Sequence, residues 1–189
     1  MRLSSLFLVL CSLIAACSSQ NVVPEGTKVQ EQPDWVQNLG LYDKGLGSIG
    51  SAPRSPLGTQ AQRNEAIMVA RNQLAGQLQT VVQNASTQSQ KQLLESSPDA
   101  AEVVASSFTE VTMRQVVNET LTGSMPIKQW IDPVSNELYV WVVIEENNLI
   151  PRIQAGMRQR LKGEGQAHQQ ALNTMDEQIQ KGLNLQKQQ

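Results

Sequence analysis

"KGLGSIGSAPRSP", Lys44 to Pro56, sets Gly45, Gly47 and Gly50 in the spacing G-x-G-x-x-G. That spacing belongs to loops that cradle the pyrophosphate of a dinucleotide. Its reading decides between a doubly wound nucleotide-binding fold and a smaller α+β domain. A nucleotide loop needs an apolar strand before its first glycine and a helix beginning near its second, so that the helix amides face the phosphate. Here "NLGLYDK", residues 38–44, is a poor core strand, and Pro53 and Pro56 follow within six residues of Gly50. The first strong helical pattern starts at Thr59, too late to reach the same phosphate, and the acid that should close a second strand, Glu65, falls inside that helix. The stretch therefore reads as a short glycine-rich strand, Gly47–Ala52, packed under a helix. No cofactor is expected.

Outward from this strand the chain alternates in period. From Thr59 to Asn84, Ile67, Ala70, Leu74, Leu78, Val81 and then Ala85 recur in steps of three and four, one face of a helix. Thr59 and Gln62 have the spacing of a capping box. "ASTQSQKQLLESS", residues 85–97, is a polar break and reads as a loop with fraying helix. Ser97-Pro98-Asp99 opens a second helix, with Ala101, Val104, Ala105, Phe108, Val111 and Thr112 on its face. Near Asn118 the period changes. Thr122–Ile131 and Glu137–Ile144 read as a hairpin, with Asp132-Pro133 starting the turn and Ser135-Asn136 ending it. In the second strand both faces are apolar: Leu138, Val140, Val142 and Ile144 on one, Tyr139, Trp141 and Val143 on the other. Such a strand is central or covered on both sides.

Helical spacing returns after Asn147, with Ile150, Ile153, Met157 and Leu161, then His168, Leu172, Met175 and Ile179 after Gly163 and Gly165. The stripe is narrow and the rest is Gln, Lys, Arg and Glu, so this segment must dock, pair with a copy or fray. It is the expected partner surface, for a homo-oligomer or for an envelope or flagellar protein. Deletion of residues 163–189 is expected to leave the domain folded and to remove that association.

The N-terminus is a different material. "MRLSSLFLVLCSLIAAC" has one charge, Arg2, and an apolar run from Leu6 to Ala16, too short for a stable transmembrane helix and built like a secretory signal. It ends in Ile14-Ala15-Ala16-Cys17, which resembles a bacterial lipobox. The resemblance implies cleavage between Ala16 and Cys17, a diacylglyceryl group on the Cys17 sulfur and an acyl chain such as palmitate on its amine. An ordinary signal peptide leaving a free thiol is the alternative. Ser18 after the cysteine favours the outer membrane under the sorting rule of enteric-type bacteria. Residues 18–32 are polar and aperiodic, a tether that reaches roughly 50 Å fully extended.

Composition narrows the function further. The formal net charge of −2 supplies no field to hold nucleic acid. Cys11 leaves with the signal and Cys17 is the lipidation site, so the mature chain has no cysteine for a disulfide or a metal. His168 is the single histidine, with no partners at ligand spacing, and a packed or half-exposed helix histidine is the simpler reading. Glu145 and Glu146 are adjacent and point apart, so they cannot flank one bond. No G-x-S-x-G is present. No catalytic residue is therefore expected, and the chain reads as non-enzymatic, with an envelope enzyme or ligand-binding protein as the competing class. Trp130, Tyr139 and Trp141 could form a carbohydrate platform, but aromatics on a hairpin more often belong to a core.

The order of features carries a resemblance. A lipobox cysteine, Pro33-Asp34-Trp35-Val36, Gly47-Ser48-Ile49-Gly50-Ser51-Ala52, the helix "AIMVARNQLAGQLQTVV", Trp130-Ile131-Asp132 and "ELYVWVVI" follow one another. The sequence resembles the family of the Helicobacter twenty-kilodalton membrane-associated lipoprotein, which includes the flagellar lipoprotein FlgP. The resemblance covers residues 33–145 and implies a small α+β domain tethered to the outer membrane. It also implies no catalytic residues, and in some members a role in basal-body rings or motility. The expected architecture is a signal peptide, residues 1–16, and a lipidated cysteine and tether, residues 17–32. An α+β domain follows, residues 33–146, with an antiparallel sheet of about three strands covered by two helices, then a Gln-rich helical extension, residues 147–189. The expected place is the periplasmic face of the outer membrane.

Overall fold

The computed structural model describes residues 31–186, so the signal peptide, the cleavage site at Ala16 and Cys17, and most of the tether lie outside the described residues. Nine elements follow in order: α1 (Asp34–Gln37), β1 (Gly45–Ala52), α2 (Thr59–Ser96), α3 (Pro98–Ser107), α4 (Glu110–Leu121), β2 (Met125–Ile131), β3 (Leu138–Glu145), α5 (Glu146–Arg160) and α6 (Gly165–Gln186). The fold is α+β, with one antiparallel sheet of three strands in the order β1-β3-β2. The doubly apolar strand is the central one, as its pattern requires.

The glycine spacing has a packing origin. β1 pairs with β3 in the register Ser48↔Val142 and Gly50↔Val140, so Leu46, Ser48, Gly50 and Ala52 share a face with the even-numbered side chains of β3. α2 lies across that face. A side chain at Gly50 would overlap the backbone of α2 at Ala66 and Ala70, and one at Gly47, on the opposite face, would overlap the carbonyl of Gly40 and sit 2.8 Å from Trp141 Nε1. The two glycines let backbone approach the strand from both sides. Gly50→Ala is therefore expected to cost at least the upper part of the range of about 1–3 kcal/mol for overpacking, because main chain must move. Gly76→Ala, in the interior of the same helix with open space around it, should instead stabilise by about 0.5–1 kcal/mol. Urea midpoints of the two variants, moving in opposite directions, check this.

α2 differs from its expected extent. It runs 38 residues, through the polar stretch expected to be a loop with fraying helix. Ala85, Ser86, Ser89 and Leu93 continue the buried stripe with small side chains, and α3 and α6 pack there. Gln178 Nε2 donates to Gln92 Oε1 at 3.0 Å across that contact. The helix stops where Ser97 turns extended before Pro98. The expected capping box does not form: the N-cap is Gly58, and Gln62 is buried, its amide donating to the carbonyls of Ala52 (3.0 Å) and Asn136 (2.9 Å). It ties the helix start to the strand end and the hairpin turn.

The helix expected after Ser97 is two. Phe108 leaves helical geometry and is buried, and Thr109 caps α4 by accepting from the amide of Thr112 at 3.3 Å. α4 then reaches Leu121, so β2 begins at Met125, later than the expected Thr122. Arg71 of α2 holds that junction, Nε donating to Ser124 Oγ at 3.0 Å. The turn matches its residues: Asp132 Oδ1 accepts from the amide of Val134 at 2.8 Å, and Asn136 adopts φ +59.

The segment after Asn147 forms α5 and α6, separated by Gly163 and Gly165, both at positive φ. The stripe does not project. Ala171, Leu172, Met175, Ile179 and Leu183 of α6 are buried in the same core as Leu78, Val81, Ala85 and Val104. α6 packs on α2 and α3, while α5 packs on α4 and the sheet. Residues 171–183 are thus integral to the core, contrary to the expectation that the tail from residue 163 is dispensable for folding.

One ionisable group is held at a cost between these helices. Asp176 of α6 is partly buried, and burial raises its pKa, with the Arg158 guanidinium 3.7 Å away and a hydrogen bond with Gln154 opposing that. A carboxyl whose folded pKa is raised costs no stability below its unfolded value of about 3.9 and progressively more as pH climbs through the folded value. Asp176→Asn should therefore raise the melting temperature at neutral pH, and the gain should vanish in acid below the ordinary aspartate range. Thermal melts across pH check the sign.

Candidate functional site

The sheet face away from α2 carries the odd-numbered side chains of β3 and is roofed only at one end. There α1 and the loop behind it, residues 38–44, fold down on Trp141. Trp35 stacks on the Trp141 ring with centroids 5.9 Å apart and planes 5° from parallel. Tyr42 meets the same ring edge-on at 5.9 Å, and Trp141 Nε1 donates to the carbonyl of Gly40 at 2.8 Å. Lys128 of β2 places Nζ 5.3 Å from the ring centroid, in reach of a cation–π attraction. Trp141 is thereby buried and serves as the core of this face. Trp130 and Tyr139 pair further along at 5.5 Å, tilted by 40°. The three hairpin aromatics do not form one flat, exposed platform.

Around the stack is an open concavity of about 630 Å³, lined by Glu31, Gln32, Pro33, Asp34, Trp35, Asn38, Leu41, Lys128 and Trp141. The chain enters the domain here, and Gln37 Nε2 donates to the Gln32 carbonyl at 2.9 Å. Here too the loop residues Leu39 and Leu41 are exposed.

The residues weighed for chemistry separate in space. Gly45, Gly47 and Gly50 lie within β1. His168 is half-buried on α6, its Nδ1 3.5 Å from the Lys162 carbonyl. Glu145 ends β3 beside Tyr42, whose hydroxyl pKa is raised by burial and then by the charges of Glu145 and Asp43. Glu146 opens α5, and its amide donates to the Lys44 carbonyl at 2.8 Å. Among the described residues no group of three or more His, Cys, Asp or Glu side chains could hold a metal ion. The stronger polar contacts join elements instead. Arg160 of α5 forks onto the Glu119 carboxylate of α4, with Nη1 to Oε2 at 3.0 Å, and this guanidinium contact lowers the Glu119 pKa.

The third feature is the free edge of β2. Ile127 and Ile131 are exposed. The strand also carries Pro126, Lys128 and an irregularity in register between them, three devices that blunt pairing with another strand. The sequence signal for the Trp141 cluster was only partial: Trp141 was visible, but its partners lie a hundred residues upstream. Leu39 and Leu41 gave no signal at all.

Among the described residues no helix is long and apolar enough to cross a membrane. The LPP20 lipoprotein family model matches residues 33–145, from the entry of the chain through α1 to the end of β3. No curated protein matches the chain.

Proposed function

Because the chain belongs to the LPP20 lipoprotein family, we propose that it is held on the outer membrane by acyl chains on Cys17. Its domain then acts as a non-enzymatic structural module facing the periplasm. The observation that carries this reading is the conjunction of a lipobox-type Ile14-Ala15-Ala16-Cys17 with a domain matched by a lipoprotein family. Support comes from how the domain spends its polar side chains. Gln62, Arg71 and Arg160 each tie one element to another, and the best-formed aromatic cluster closes on itself around Trp141. Each buried methylene of an acyl chain contributes about 0.8 kcal/mol, one chain holds marginally, and two or three hold durably. A domain anchored in that way needs no membrane-spanning helix.

Envelope fractionation with protease treatment tests the placement. The protein should band with outer-membrane fractions, resist protease in intact cells and become cleavable once the outer membrane is permeabilised. Recovery in the inner membrane, or digestion in intact cells, would overturn it.

A further inference from the structure

Leu39 is 82% exposed and Leu41 57% exposed, on a loop that is not loose. The amide of Leu39 donates to the Val36 carbonyl at 3.4 Å, that of Gly40 to Trp35 at 3.1 Å and that of Leu41 to Asn38 at 3.1 Å. From behind, the Gly40 carbonyl is fixed by the Trp141 indole. In this rigid frame Leu39 has φ +54, a left-handed conformation rare for any side chain but asparagine, aspartate or histidine. Leu39 therefore bears two costs at once, a strained backbone and an apolar side chain in water. Asparagine or glycine would bear neither. Cover by an apolar medium removes the second of these costs, and a backbone outlier of this kind points to a functional position.

We propose that Leu39 and Leu41 are a contact tip that rests on the phospholipid surface to which the chain is anchored; this rests on the acyl anchor at Cys17 proposed above. The chain itself identifies the occupant. The segment from Cys17 ends at Gln32, which is hydrogen-bonded to α1 and lines the same concavity as Leu41. The tether therefore enters the domain at the face that carries the leucines. Two leucines would not hold a free protein on a membrane. A tether of roughly 50 Å at most makes the encounter intramolecular, so weak contacts suffice to orient an anchored domain. A second copy is the lesser candidate, because the neighbouring β2 edge is blunted against pairing.

The test uses the acylated full-length protein on phosphatidylcholine vesicles, with Leu39→Cys carrying an environment-sensitive fluorophore. Leu57→Cys is the control, because Leu57 is 84% exposed and lies past the opposite end of β1. The label at 39 should shift to the blue and be quenched by spin-labelled lipid, and the label at 57 should do neither. With the fluorophore at Leu41→Cys, adding Leu39→Asn should remove the shift while the melting temperature is kept, because asparagine tolerates this backbone. Vesicle-bound protein with identical emission at 39 and 57 would overturn the tip alone. A shift at 39 that grows with protein density and ignores quencher lipid would overturn it in favour of a second copy. Failure of the protein to float with vesicles would overturn the anchor and the tip together.

Discussion

Truncation before Gly163 is expected to abolish the native fold. α6 contributes Leu172, Met175, Ile179 and Leu183 to the core, and its loss uncovers Val81, Ala85, Leu93 and Val104 on α2 and α3. Each large apolar side chain buried in this way is worth about 1.5–3 kcal/mol. Four of them approach or exceed the whole stability of an ordinary domain, about 5–15 kcal/mol. The shortened chain should show no cooperative urea transition by circular dichroism and should aggregate. A transition with an unchanged midpoint would mean that α6 does not pack on α2.

The second large effect concerns location. Cys17→Ser removes the only cysteine left after the expected signal cleavage and with it every acyl chain. Because two or three acyl chains separate durable from marginal binding, the variant should move from the membrane pellet to the soluble periplasmic fraction almost completely. The folded domain should be unaffected, with the melting temperature unchanged. Retention of the variant in the membrane pellet would mean that something other than Cys17 holds it.

Much of the fold could be read where local pattern and tertiary structure agree. The stripe from Ala70 to Ala85 and the two-sided strand from Leu138 to Ile144 are long enough for their periods to be unambiguous, and Asp132-Pro133 and Asn136 specify their turn chemically. The misreadings occurred where a residue's meaning depends on a distant partner. Ser86 and Ser89 look like loop residues, yet they are the small side chains that let α3 and α6 approach α2. Gln62 sits at capping-box spacing, but its amide is drawn to carbonyls in β1 and the hairpin turn, because burial there leaves those acceptors without water. Phe108 fits a helical stripe, and Thr109 after it caps a new helix. The narrow stripe of the last helix is compatible with docking, pairing with a copy or fraying, and only the fold shows that it docks on α2 of the same chain.

The candidate site was less legible than the fold. Trp141 could be seen as a hairpin aromatic, but its neighbours Trp35, Gly40 and Tyr42 come from a stretch with no periodicity. The spacing of Gly47 and Gly50 is explained by a helix on one side of β1 and the Gly40 carbonyl on the other. Leu39 is an unremarkable residue until its backbone angle and exposure are known together.

The claim on which the account turns is that acyl chains on one cysteine hold this domain to its membrane. Mass spectrometry of the N-terminal peptide of the processed protein tests it most directly. The account predicts a chain that begins at Cys17 and carries a diacylglyceryl thioether with an acylated amine. A peptide that begins elsewhere, or a free thiol at Cys17, would contradict it.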